Sequence, residues 1–197
     1  MCACGVWRKR LGFSLIELMT ALSVTTVLLT VGVPNLRDFV LNQRRTAAIN
    51  ELITAIQMAR GEAYKRGQTV TICPSADPTA AAPVCSTTGS DWTKGWLMYA
   101  NLDESMAGTE PDPGETVIKA STNDYSAVSI GASFSGGAGN VSMSLRRFGA
   151  ASTNGTVTFC DSRGASNASE RRAIIVSPTG RPRTSTVASD GSPLTCP

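Results

Sequence analysis

The stretch from Phe13 to Val33 carries a single charged residue, Glu17. At roughly 1.5 Å of rise per residue, a helix over that stretch is about 30 Å long, enough to cross the hydrocarbon core of a bilayer. A carboxylate at such depth costs roughly 2.5 to 3.5 kcal/mol even on lenient scales, so Glu17 calls for a compensating partner. Trp7, Arg8, Lys9 and Arg10 precede the run. Their positive charge directs this end to the cytoplasm and the rest of the chain to the far side. A secretory signal peptide also begins with basic residues, but its apolar core is usually about 7 to 15 residues long and ends at a small-residue cleavage site. Here the apolar run is longer and passes without a break into a helical pattern.

The heptapeptide Gly12-Phe13-Ser14-Leu15-Ile16-Glu17-Leu18 resembles the processing site of type IV pilins and type II secretion pseudopilins. That resemblance implies cleavage after Gly12 by a membrane prepilin peptidase and methylation of the new N-terminal Phe13. It also implies that Glu17 pairs with the Phe13 amine of a neighbouring subunit and so sets the register of assembly. The physical reason is that two opposite charges in hydrocarbon are far better paired than apart. The implied organisation is a leader over 1–12, a transmembrane and assembly helix over 13–34, an amphipathic continuation over 35–67 and a β-rich extracytoplasmic domain over 68–197. A single-pass inner-membrane precursor with a periplasmic C-terminal domain would then join other major and minor pilins in a filament at the cell surface.

Beyond Pro34, which is placed to kink or restart the helix, Leu36, Phe39, Val40, Ile49, Leu52, Ile53, Ile56, Ala59, Ala63 and Tyr64 recur at spacings dominated by three and four. They describe an amphipathic helix with its apolar stripe on a sheet, while Arg37, Arg44, Arg45, Arg60 and Arg66 mostly face water or neighbouring subunits. Lys65 and Arg66 complement the negative helix end, and Gly67 suits the left-handed cap that stops it. The period then changes to two. Strands are expected over 69–73, 95–99, 116–120, 127–134, 141–148, 155–161 and 171–177, with loops over 75–93 and 101–115. A long N-terminal helix packed on a mostly antiparallel sheet is an α+β architecture.

The chain contains no histidine, so the commonest general base and the commonest zinc ligand are both missing. Neither a nucleophile elbow, a phosphate-binding glycine loop nor a zinc-protease helix is present, and an enzymatic role is not expected. Of the six cysteines, Cys2 and Cys4 precede the apolar run, while Cys73, Cys85, Cys160 and Cys196 follow it. In an oxidising compartment the last four read as two disulfides with three possible pairings. Cys73 with Cys85, closing a loop, and Cys160 with Cys196, tying down the tail, are the favoured pair. Tetrahedral zinc is the competing use, disfavoured by the lack of closely spaced cysteine pairs. No cofactor is expected.

The helix end Ala59-Arg60-Gly61-Glu62-Ala63, with Val70-Thr71-Ile72-Cys73 and Gly95-Trp96 after it, is similar to the GspH/FimT group of minor pilins and pseudopilins. Near the C-terminus, Ile174 to Arg183 is similar to the FimT branch, whose Gly-Arg-x-Arg motif is implicated in binding DNA during natural transformation. That likeness puts Gly180, Arg181 and Arg183 forward as DNA-binding residues. Charge distribution points the same way. Residues 77–124 hold eight acids and two lysines, whereas residues 141–197 hold seven arginines and three acids. Arg146, Arg147, Arg163, Arg171 and Arg172 are therefore added to the expected basic surface, where guanidinium forks suit phosphate. Contact with so few groups is expected to be sequence-independent and salt-sensitive. The only aromatic residue after Gly149 is Phe159, so the tail is expected to hold backbone rather than stacked bases. The alternative is a structural minor pilin or pseudopilin that primes filament assembly for adhesion, motility or type II secretion and leaves nucleic acid alone.

Overall fold

The computed structural model describes residues 12–86, 91–104, 110–122, 127–134, 142–164 and 166–197. The leader as far as Leu11, with Cys2 and Cys4, lies outside the described residues. The chain forms two compact units, Met1–Val40 and Leu41–Pro197. Helix α1 (Leu15–Arg66) supplies the described part of the first unit and opens the second.

In the first unit the helix runs through Pro34 without a break, where a kink or restart was expected. Its polar side chains fold back on the backbone. Thr25 and Thr26 donate their hydroxyls to the carbonyls of Ala21 and Leu22 at 2.7 and 2.8 Å, and the Asn35 amide donates to Val31 at 3.0 Å. Self-satisfied hydroxyls and amides are what an apolar surrounding tolerates. The large apolar side chains from Phe13 to Phe39 are exposed, and the helix is long and apolar enough to cross a membrane.

In the second unit the buried positions of α1 are Leu41, Arg45, Ala48, Ile49, Leu52, Ala55, Ile56, Ala59 and Ala63. Steps of three and four keep them on one face. Four are alanines, which let strands approach the helix closely. Tyr64, expected on this stripe, is exposed. Gly67, at φ +64°, ends the helix.

Among the described residues eight strands follow: β1 (Thr69–Pro74), β2 (Gly95–Asn101), β3 (Thr116–Thr122), β4 (Val128–Phe134), β5 (Met143–Leu145), β6 (Gly155–Asp161), β7 (Arg172–Val176) and β8 (Pro182–Ser185). They form two antiparallel sheets, ordered β3-β2-β1-β5 and β4-β6-β7-β8, rather than one. Period-two alternation tells which face of a strand is buried but not which strand lies beside it. Of the expected 141–148 strand, Val141 lies outside the described residues, and among the rest only Met143–Leu145 is strand. β8 was not among the expected strands.

Both sheets bury their inner faces against the α1 stripe. Val70 and Ile72 of β1, Trp96 and Met98 of β2, Val157 and Phe159 of β6, and Ile174 and Val176 of β7 join one core with Ile56 and Ala59. Trp92, fully buried, packs its ring 6.2 Å from that of Phe134. β1 and β2 are buried on both faces because the Cys73–Cys85 disulfide draws a loop over the outside, where Leu97 and Tyr99 form a second small cluster. A Cys160–Cys196 disulfide ties the C-terminal tail to β6, closing a stretch of 36 residues. By loop-closure entropy such a link stabilises the fold by about 3 to 4 kcal/mol.

Glu110 lies against the first disulfide loop, its carbonyl accepting the Cys85 amide at 2.7 Å. Burial pushes its carboxyl from 4.5 up to about 7; the Tyr99 hydroxyl opposes this, and the Glu115 and Asp112 charges reinforce it. Burial, followed by the Glu110 charge, likewise raises the Tyr99 hydroxyl. Because folding raises this acid's pKa, the folded state holds the proton more tightly and stability falls as pH rises from about 4.5 to about 7. Thermal melts of the wild type and Glu110→Gln over that range test this. The wild type should lose Tm relative to the variant as pH rises, and parallel curves would show that Glu110 does not titrate in this window.

Candidate functional site

At the start of α1, Phe13 is exposed and Glu17 lies in the first turn, where the Thr20 hydroxyl donates to its carbonyl at 2.9 Å. The Glu17 carboxylate is on the helix surface, available to a group from another molecule.

The seven arginines expected on the basic surface of the second unit divide into two groups. Arg163 belongs to the scaffold. Its guanidinium donates to both Asp161 carboxylate oxygens, at 3.2 and 2.6 Å, and to Asn42 Oδ1 at 2.8 Å. Arg45, expected at the surface, is instead buried in the same cluster. It meets Asp161 at 3.2 Å, the Glu170 carboxylate at 3.4 Å, Asn42 Oδ1 at 2.9 Å and the Glu170 carbonyl. Two arginines and two acids leave the cluster neutral, which a buried site requires. Burial alone would raise the Asp161 carboxyl, but Arg163 hydrogen bonds and charge, with Arg45 behind them, hold it below the ordinary value of 3.8. Arg171 donates to the carbonyls of Gly164 at 2.7 Å and Leu194 at 2.6 Å, fastening the tail. Arg172 donates to those of Ser169 and Arg171. These three arginines hold the β6–β7 connection and its 3-10 turn (Ala168–Glu170) in shape.

Arg146, Arg147, Arg181 and Arg183 are exposed, and among the described residues no acid pairs with them. They lie on or just beyond two turns that touch. The first follows β5: the Gly149 amide donates to the Arg146 carbonyl at 2.6 Å, and the Arg146 amide to the Ala150 carbonyl at 2.8 Å. The second joins β7 to β8, with the Gly180 amide donating to the Ser177 carbonyl at 2.8 Å. Gly180 sits at φ +70°, and a β-carbon there would collide with the Gly149 carbonyl oxygen and press on Leu145 at 3.1 Å. Only glycine lets the two backbones come this close. The Ala151 amide, donating to the Pro178 carbonyl at 3.0 Å, adds a second tie, and Arg60 of α1 donates to the Gly149 carbonyl at 3.2 Å. Arg181 directly precedes edge strand β8 and Arg183 lies within it, two residues apart and hence on one face. Unneutralised guanidiniums on and beside adjoining turns give this part of the surface a positive charge.

One side chain here was not anticipated. Phe148, read as the end of a strand, occupies the tip of the first turn at 81% exposure, with the Arg147 guanidinium 5.9 Å from its ring centroid. The signal was present in Arg146-Arg147-Phe148-Gly149, where a glycine follows two charges and closes a turn.

An apolar N-terminal helix with one carboxylate in its first turn, continued by an amphipathic half under antiparallel sheets, defines a type IV pilin-like protein. The model of the family described as type II transport protein GspH matches residues 48–180, and that of the prokaryotic N-terminal methylation motif matches residues 7–33. The chain belongs to the GspH family. Among solved structures it is similar to the type IV minor pilin FimU of Pseudomonas aeruginosa strain PAO1 in two crystal forms. In one the identity is 17% over 74% of this chain and 98% of that one, with a TM-score of 0.48. In the other it is 16% over 78% and 98%, with a TM-score of 0.49. A search of curated proteins finds no match.

Gly180→Ala should destabilise the protein by at least about 1 to 2 kcal/mol, the cost of a β-carbon in the left-handed region, before any clash with Gly149 is added. Denaturant unfolding measures it, and a variant as stable as the wild type would refute the close approach of the two turns.

Proposed function

We propose that this protein is a minor pilin that binds DNA without sequence preference and supports DNA uptake by a type IV pilus. The observation that carries the proposal is the contact between the Gly149 and Gly180 turns, which presents Arg146, Arg147, Arg181 and Arg183 together with no neutralising acid among the described residues. Arg163, Arg171 and Arg172 serve this surface indirectly, by fixing the connection that leads into β7. Arginine forks meeting phosphate release counterions from DNA, which gives affinity without reading bases.

The N-terminal half supplies the setting. Prepilin peptidase cleaves after Gly12, Phe13 becomes the methylated N-terminus, and Glu17 pairs with that amine on an adjacent pilin. Before assembly the helix anchors the protein in the inner membrane with residues 68–197 in the periplasm; afterwards they stand on the pilus. A second reading is favoured by the matched family's description as a transport protein. In it the chain is a pseudopilin that primes a secretion filament, and the arginines meet neighbouring subunits.

Fluorescence anisotropy on the full chain in detergent, with a labelled DNA duplex at low salt, separates the two. Arg181→Ala combined with Arg183→Ala should weaken binding about tenfold or more and reduce the log-affinity against log-salt slope by about 2, one unit for each lost phosphate contact. An unchanged affinity in the double variant, or no binding by the wild type, leaves the secretion reading standing. Glu17→Ala should enter the membrane normally but be missing from sheared filaments on immunoblots; wild-type incorporation would refute the pairing.

A further inference from the structure

Phe148 does nothing for the fold. It is 81% exposed at the tip of a turn whose shape is set by backbone hydrogen bonds and by Gly149, and it is absent from both hydrophobic clusters. Leaving that much aromatic surface in water is unfavourable. On one side of it the Arg147 guanidinium lies 5.9 Å from the ring centroid, and on the other Gly149 touches the turn that carries Arg181. The ring therefore stands on one of the two adjoining turns that carry the exposed arginines, beside Arg147.

We propose that Phe148 is a stacking platform for an unpaired base, and that this surface prefers single-stranded DNA to duplex. The inference rests on the DNA-binding reading above and adds the form of DNA it takes. A base has an open π-face only when it is unpaired or at a frayed end; in a duplex interior both faces are covered by neighbouring pairs. Base on aromatic stacking is tolerant of sequence, and a guanidinium beside the ring adds cation–π attraction while it reaches the flanking phosphate. Arg146, Arg147, Arg181 and Arg183 would hold the backbone of either form, so the ring is what discriminates. The expectation of backbone contact without base stacking concerned the C-terminal tail alone. The fold supplies the ring from a turn more than thirty residues earlier in the chain.

The test uses the full chain in detergent with two fluorescent probes, a 15-nucleotide oligothymidylate and a mixed-sequence duplex of equal length, in wild type, Phe148→Ala, Phe148→Trp and the Arg181→Ala/Arg183→Ala double variant. The wild type should bind the single strand more tightly per nucleotide. Phe148→Ala should weaken single-strand binding about 5- to 150-fold, the equivalent of ~1 to 3 kcal/mol for one stacked base. Its effect on the duplex should be several-fold smaller, and Phe148→Trp should restore the single-strand preference. If the wild type binds both probes equally and Phe148→Ala changes neither, stacking is refuted while DNA binding through arginine survives. If the wild type binds neither probe, the DNA reading itself falls. A Phe148→Ala variant that binds both probes normally but is lost from filaments would overturn the proposal in favour of a contact between subunits.

Discussion

Two sheets and one helix face share a single core, and the constraint that governs the second unit is the narrowness of that face. Ala48, Ala55, Ala59 and Ala63 alternate with Ile49, Leu52 and Ile56, so strands from both sheets reach the helix with little side chain between. At one end of the stripe Arg45 takes the place of an apolar residue. Its charge is met by Asp161 at the end of β6 and Glu170 in the connection to β7. A pair of acids so placed fixes where the second sheet meets the helix, because a displaced carboxylate would leave the guanidinium buried and alone. Arg163 completes the neutralisation. The loop before β7 is thus held by ion pairs, the tail by Arg171 and a disulfide, and the turn after β7 by Gly180.

The parts of this arrangement that were legible in the sequence are those that depend on local pattern. The apolar run, most of the α1 stripe, the stop at Gly67 and the places of β1, β2 and β6 follow from local pattern, and the observed 155–161 strand coincides with the one expected. What could not be read is which arginines would be consumed internally. Arg45 and Asp161 lie 116 residues apart, and Arg45 and Glu170 125 apart, so nothing near Arg45 announces its partners. A charge at a stripe position, four residues after Leu41 and three before Ala48, was the one available hint. The charge excess over 141–197 overstated the free basic surface for the same reason: a count of charges does not see that Arg163 is held by Asp161, nor that Arg171 and Arg172 are held by backbone carbonyls.

The candidate surface illustrates a related limit. Gly180, Arg181 and Arg183 were put forward together as DNA-binding residues; a turn is present at Gly180, but the chain re-enters a sheet at Pro182. That strand pairs with β7 through Ile175 opposite Arg183 and Val176 opposite Pro182. Arg183 is therefore carried by a ladder that Arg181 leads into, and neither sits on a loose tail. On the proposed reading this anchored backbone would lower the ordering cost of binding a flexible polyanion. Phe148 was invisible in its role because the ladder between β1 and β5 ends at Leu145, a limit set by pairing rather than by composition.

The position of β8 has a consequence for crowding. It is the last strand of its sheet, and subunits in a filament stand at very high local concentration, a condition under which a bare strand edge invites another chain to add to it. Pro182 removes one backbone donor from the edge, and Arg183 puts a positive charge on it. Like charges on two such edges repel. Pro182 and Arg183 thus keep this margin closed to copies of itself, so a filament can display the sheet without zipping its neighbours together.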